Sequence, residues 1–513
     1  MEAATLGRSS GLSAYTQALR EAVRARSRLF WIVAGLTAFA AVLRFATLGL
    51  QAYHHDEIVT ASRVLRGSFW HAMDAVGFSE SAPPLYYALA WPWTQLAGTG
   101  EVGLRSLSAL AGVATVPVAF LVGRELRGER AGIAAAALVA VNPMLLWYSQ
   151  EARAYALLTL LCAVSLLCFV RALERGERRD FVLWGVASGL ALASHYFAIF
   201  PIAAEALWLL RRRRRESWRG LGIVALVALT LAPLVVHQMS YGHAEWIGNF
   251  SLGHRLWETA ATFAVGETSD IVARPEQPAL AVVPLALALG SLLLLALRGE
   301  REERRAAALP LAVAAAAIGV PLLLAIFAPG KDFVLARNLM PALVPLLAAV
   351  AIAANLRRAR RAGAVLVGAL VAYSLGFSVW ASVSPALQRP DWEAVAERIG
   401  EPQAPRAIAT WALGEASLRY YLSTGAFQVV PSEEYEWQVH EIDLVSDGQA
   451  PPPPRRLLGP AFVQTALIDT GRLEVRRYAV PGPGLAPLRL NLLRRADLEF
   501  RNNGVLLDGI GPG

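Results

Sequence analysis

The residue types best suited to chemistry lie in one short stretch, Tyr53-His54-His55-Asp56-Glu57, where two carboxylates adjoin two imidazoles. These groups are the common general acids and bases of enzymes. The stretch comes a few residues after the first long apolar run, and ionisable groups at a membrane surface are costly to desolvate, so a functional role is the first hypothesis. The plain alternative is a solvated loop. A second grouping, Tyr148-Ser149-Gln150-Glu151-Ala152-Arg153-Ala154-Tyr155, sets a carboxylate and a guanidinium at the start of another apolar run. Glu151 and Arg153 are two apart, do not share a helix face, and should reach different partners. An arginine at a helix start opposes the macrodipole and calls for a compensating anion. Lys331, Asp332 and Arg337 form a third group. For the second and third groups the plain alternative is snorkelling or anchoring at the membrane interface.

The elements that must carry these residues are membrane helices. Of the 513 residues 55% are hydrophobic and 17% charged, with mean hydropathy +0.42; a soluble chain would carry about 25% charge. Eleven apolar segments are expected to span, at 29–48, 103–123, 131–147, 154–171, 181–194, 197–210, 220–237, 280–297, 308–328, 338–356 and 364–384. Arg20 to Arg28 place residues 1–28 in the cytoplasm, and the run from Leu29 is too long for a cleaved signal peptide. Counting crossings then puts the arginine-rich loops 124–130, 171–180, 211–219, 298–305 and 357–361 inside. The net charge of +8 is thereby explained by topology, and no nucleic-acid partner is expected. The segments 181–194 and 197–210 are short for spans, but the arginines at 211–215 require both. Pro83–Ala97 fits an interfacial or re-entrant helix. Residues 29–384 thus form a transmembrane module with an outer loop at 49–102. From Pro385 the composition changes, and 385–513 is expected to be a small outer α/β domain. It has strands near Ala407–Trp411, Gln428–Val430 and Leu473–Tyr478, a helix near Glu415–Tyr421 and a polyproline spacer at Pro451–Pro454. Cys162 and Cys168, six apart in one apolar run, are not placed to bridge.

The positive-inside rule predicts few outer cations, yet Arg63, Arg66, Arg105, Arg153, Lys331 and Arg337 all fall there. A pocket for a phosphate or pyrophosphate headgroup needs such residues, because guanidinium binds phosphate in a bidentate fashion. Carboxylates and cations beside the bilayer suggest transfer of a group from a phospholipid-like donor; structural anionic lipid is the other use. His54, His55, His195, His237 and His243, with Glu57 or Glu80, leave a divalent metal open, His55 and Glu80 first among the ligands. No HExxH or CxxC spacing supports one, and no cofactor is certain. The absence of P-loop, GxGxxG and GxSxG patterns argues against nucleotide hydrolysis, dinucleotide chemistry and serine hydrolase chemistry.

Asp56-Glu57, then Pro83-Pro84-Leu85-Tyr86-Tyr87, Arg105 and the Tyr148–Tyr155 stretch, in this order, resemble the GT-C glycosyltransferases, in particular the bacterial protein O-mannosyltransferase-like and aminoarabinose-transferase-like set. Arg337-Asn338-Leu339 resembles their Arg-Tyr-Leu element with Asn for Tyr, and Arg389-Pro390-Asp391-Trp392 resembles the start of their outer C-terminal domain. The resemblance implies a polytopic helical enzyme of the plasma membrane. It would move one sugar from a polyprenyl-phosphate donor to a lipid, glycan or protein acceptor on the outer face, with inversion. It further implies Asp56 as general base with Glu57 tuning or orienting it. Arg153, with Arg337, Lys331 and Arg105, would serve the donor phosphate. A substrate pocket would draw on His54, His55, Glu80, Tyr86, Tyr87, Trp91, Glu151, Tyr155 and His195. His54-His55 is not general in that family. Two other readings are carried: a transporter or flippase for a lipid-linked substrate, for which Glu205 is the one candidate mid-span charge, and an inactive envelope scaffold.

Overall fold

Apolar runs closed by arginine clusters become helices in the structure, a computed structural model. It describes residues 27–241, 247–248, 250–268, 278–328, 332–422, 428–429, 436–447, 458–489 and 503–508. The helices are α1 (Ser27–Phe45), α2 (His55–Val59), α3 (Phe69–Ser79), α4 (Leu85–Ala97), α5 (Glu101–Arg127), α6 (Glu129–Val141), α7 (Pro143–Ser149), α8 (Tyr155–Arg175), α9 (Arg178–Ser194), α10 (Ile199–Arg212), α11 (Arg214–Met239) and α12 (Leu252–Val265). They continue as α13 (Ala279–Arg298), α14 (Arg301–Phe327), α15 (Leu343–Ala353, entered through the 3-10 turn Ala336–Ala342), α16 (Arg360–Val383), α17 (Trp392–Ile399) and α18 (Ala412–Tyr421). Each of the eleven expected segments overlaps one of these helices or a helix pair. Among the described residues, eight helices are long and apolar enough to cross a membrane, and the bent pair α6–α7 makes up to nine. At 17 and 14 residues, α9 and α10 fall short of that length. The chain is a multi-pass, mostly helical membrane protein. The segment expected to be interfacial is α4, with Pro92 inside it.

The chain divides into two compact units. The first comprises Met1–Ala46, Glu80–Tyr86 and Ser106–Val379; the second comprises Thr47–Ser79, Tyr87–Arg105 and Trp380–Gly513. In the first, one apolar core joins α1, α5–α8 and α13–α16 around Val139, Met144 and Leu347, and a second joins α8–α11 around Trp184 and Phe169. Gly185 and Gly220 let α9 and α11 meet, since a Cβ on Gly185 would lie 2.7 Å from the Gly220 Cα. Ion pairs and hydrogen bonds chain the five arginine-rich loops together. Arg127 meets Glu303, Arg357 meets Glu300, Arg171 meets Glu125, and Arg213 donates to the Leu173 carbonyl. These loops therefore share one end of the unit, as the crossing count requires.

The second unit holds a six-stranded sheet. Its strands are β1 (Arg406–Trp411), β2 (Gln428–Val429), β4 (Glu441–Asp447), β5 (Val463–Asp469), β6 (Leu473–Ala479) and β8 (Asn503–Asp508), in the order β2-β8-β1-β4-β6-β5. Only β1 and β4 pair in parallel; the other pairings are antiparallel. A separate ribbon pairs β3 (Glu436–Val439) with β7 (Ala486–Arg489). The three strands and the helix expected from sequence are all present. β3, β4, β5, β7 and β8 were not expected, and Pro451–Pro454 lies outside the described residues. The same unit takes in the two segments of the first loop, so residues 47–79 and 87–105 fold with the sheet.

Candidate active site

In the second unit, the acidic stretch opens α2. His54 is its N-cap, with Nδ1 accepting from the Asp56 N–H while the His54 N–H donates to Glu57 Oε2 (2.9 Å). Asp56 is half-buried in the first turn, whereas Glu57 is fully buried. Arg105 engages Glu57 through Nε and Nη2, both at 2.8 Å, and Arg389 adds a third contact at 2.9 Å. The other Arg105 N–H groups go to the carbonyls of Leu48, Gln51 and Ala52. All five guanidinium donors are thus used. Arg105, expected to bind donor phosphate, instead ties the loop before α2 to α5, and a phosphate would have to break those bonds. Glu57, expected to tune or orient Asp56, anchors two guanidiniums and a backbone N–H through its oxygens and so fixes α2. Its burial is tolerable because every charge in the triad is paired and hydrogen-bonded.

Arg389 and Tyr421, neither given a role by sequence reasoning, complete this loop. The Arg389 N–H donates to the Gln51 side chain, and the Tyr421 hydroxyl accepts from the Tyr53 N–H (2.7 Å) and donates to Glu101 (2.8 Å). Burial pushes the Tyr421 hydroxyl well above its usual range, with Glu101 adding to the shift, so it remains a donor. Arg389-Pro390-Asp391-Trp392 was legible as a motif; its target was not. Tyr87 is fully buried and Trp91 donates to the Gly67 carbonyl. His55 is half-buried at the first position of α2.

In the first unit, Arg153 meets Glu80 at 2.8 Å, with 13% of the arginine side chain and 2% of the glutamate exposed. This is the anion that an arginine at a helix start requires. The Arg153 carbonyl accepts from Ser108, whose Oγ lies 3.5 Å from the buried Tyr86 hydroxyl. Tyr86 and, in the second unit, Tyr87, both expected to line a pocket, are fully buried. His195 caps the turn Tyr196–Ala198 through Nδ1, and its ring lies 5.5 Å from that of Tyr155. Burial, with Arg153 and Arg337 adding positive charge, pushes His195 down to about 3, so it is a neutral imidazole. Tyr148 packs 4.9 Å from Tyr155, donates to Glu267, and faces the charges of Glu151 and Arg337. Glu151 is buried, and its carbonyl accepts from the Arg153 N–H.

Arg337 is half-buried on the turn Ala336–Ala342. Asn338, which stands where the resembling family has Tyr, donates to the Phe333 carbonyl and holds that turn. Asp332 belongs to an ion pair that the sequence did not suggest, with Arg255 at 2.6 Å. Burial alone would raise the Asp332 carboxyl, but hydrogen bonds from Arg255 and the Val334 N–H hold it below its ordinary range. Lys331 lies outside the described residues. Among the described residues, no three His, Cys, Asp or Glu side chains group as a metal site would require. Glu205, the charge a transport reading needs, is buried and accepts from Ser165 (2.6 Å) and Trp184 (2.7 Å). It ties α8, α9 and α10 together.

Residues 81–239 match the model of the dolichyl-phosphate-mannose-protein mannosyltransferase family. Two solved structures of ArnT from Cupriavidus metallidurans share the fold over nearly their whole length. The apo form is 14% identical, covers 88% of this chain and 98% of ArnT, and gives a TM-score of 0.52. The form bound to undecaprenyl phosphate is 16% identical, covers 87% and 97%, and gives 0.50. The fold is that of ArnT. No curated protein sequence matches the chain. The matched segment takes in Tyr86, Arg153, Tyr155 and His195, and leaves Asp56, Glu57 and Arg337 outside it.

Proposed function

We propose that the protein transfers a single sugar from a polyprenyl-phosphate carrier to a lipid, glycan or protein acceptor of the cell envelope, at the outer face of the plasma membrane. The observation that carries this reading is the contrast within the acidic pair. Glu57 is fully engaged in an ion triad, while Asp56, one residue on the other side, is half-buried on the helix that the triad fixes. Asp56 is the general base. It takes the proton of the acceptor hydroxyl as that oxygen bonds to the anomeric carbon. The bond between that carbon and the phosphate oxygen breaks, and one displacement inverts the configuration. Arg153 and Arg337 neutralise the charge left on the polyprenyl phosphate. Undecaprenyl phosphate bound to ArnT supports a lipid carrier of this class.

The test is transfer of radiolabelled sugar from defined polyprenyl-phosphate donors to membrane extract, comparing wild type with Asp56→Asn, with and without chelator. Labelling that depends on donor and falls by about a hundredfold or more in the variant is the expected result. Full activity in Asp56→Asn would remove the base from the mechanism, and loss of labelling on chelation would bring a metal into it.

A further inference from the structure

We infer that Arg44, inside the first membrane helix, is a positioning residue that holds the broken span α6–α7 and so sets where Arg153 stands. The inference rests on the reading of Arg153 as a phosphate-binding group. Its origin is the break itself. Asn142 and Pro143 bend the span by 57°. Pro143 has no N–H for the Val139 carbonyl, and the Leu145 N–H turns to the Asn142 side chain (3.0 Å). The last carbonyls of α6 are left in apolar surroundings with no continuing helix to bond them, which inside a membrane demands other donors. Each finds one. Arg44 Nη2 reaches the Val139 carbonyl at 3.3 Å, Arg44 Nη1 reaches that of Ala140 at 3.0 Å, and the Ser378 hydroxyl reaches that of Val141 at 2.9 Å.

The same guanidinium also holds the far side of the break. Its Nε donates to Ser149 Oγ at 3.1 Å, the last residue of α7, and the next residue, Gln150, returns a hydrogen bond from its amide to the Arg44 carbonyl at 2.9 Å. Arg44 is fully buried, and no described carboxylate pairs with it. A charge in that setting is retained only where it does specific work. Here it binds both halves of a kink whose second half, α7, ends four residues before Arg153. Space around it is closed on the opposite side by Gly112: a Cβ there would lie 2.0 Å from Ser149 Oγ and 2.9 Å from Arg44 Nε. The clamp therefore requires glycine at that point of α5.

The test uses the full chain in lipid nanodiscs, with variants Arg44→Met, Arg44→Lys and Gly112→Ala. Hydrogen exchange is expected to rise about tenfold or more in residues 139–153 of Arg44→Met, with α8, α9 and the C-terminal sheet unchanged. Arg44→Lys should give the same pattern more weakly, because an ammonium cannot span both halves of the break. Gly112→Ala keeps the charge, displaces the clamp and should loosen the same residues. Where transfer is measurable, Arg44→Met should raise the donor KM more than it lowers kcat, with a total loss approaching about a hundredfold in kcat/KM. Unchanged exchange at 139–153 in Arg44→Met, or a uniform rise throughout it with Gly112→Ala silent, would overturn the inference. If wild type transfers from no donor, the proposed function fails while the exchange pattern still decides the clamp.

Discussion

Asp56 and Glu57 are adjacent and chemically alike, yet the structure gives them opposite work. Glu57 is enclosed by Arg105, Arg389 and the His54 N–H, while Asp56 remains half-buried on the helix they fix. Removing one member of a buried ion network leaves the others uncompensated. Glu57→Gln should therefore destabilise the fold by roughly 3–5 kcal/mol. Asp56→Asn should leave thermal unfolding of the purified protein near wild type and remove transfer. If Glu57→Gln unfolds at the wild-type temperature, the triad is not the anchor described. Equal destabilisation by both variants would mean that Asp56 is also structural.

Helices α8, α9 and α10 meet at a buried carboxylate. Glu205 accepts from the Ser165 hydroxyl and the Trp184 indole N–H, and Ser165 lies 2.8 Å from Ser188. An acceptor at this point is what matters, since Trp184 can only donate. Glu205→Gln keeps an acceptor and should fold and transfer as wild type. Glu205→Leu takes the acceptor from the buried Trp184 indole N–H, while Ser165 keeps Ser188, and should lose roughly 1–3 kcal/mol of stability. Strong loss of function in Glu205→Gln with normal stability would show that its charge is used, and would revive the transport reading.

The whole molecule turns on the sharing of one end of the first unit by the five arginine-rich loops. Ion pairs such as Arg171–Glu125 and Arg127–Glu303 join them directly. Positive charge near helix ends faces the cytoplasm, so the loop bearing Asp56 should face outward. In a background lacking Cys162 and Cys168, Ser68→Cys should react with an impermeant maleimide on intact cells. Glu129→Cys, in an arginine-rich loop, should react only after permeabilisation. The reverse pattern would place the site in the cytoplasm.

The sequence by itself carried the apolar helices (though not which of the eleven expected spans are long enough to cross), the common face of the arginine-rich loops and the acidic stretch, because hydropathy, charge placement and the Asp-Glu pair are local properties. It also carried the short helix after Pro83 and three strands of the C-terminal sheet. What only the tertiary structure decided is how the charged residues divide between chemistry and support. Arg105 and Arg153 both sit near helix starts, and nothing local separates a guanidinium whose five donors are consumed by Glu57 and three carbonyls from one paired with Glu80 and partly accessible. Arg389 acts on a residue 332 positions away, and Arg44 on carbonyls freed by a break 95 positions away. Such partners are chosen by packing: a buried donor bonds whichever carbonyl or carboxylate the fold leaves unsatisfied, and that demand exists only once the helices have met.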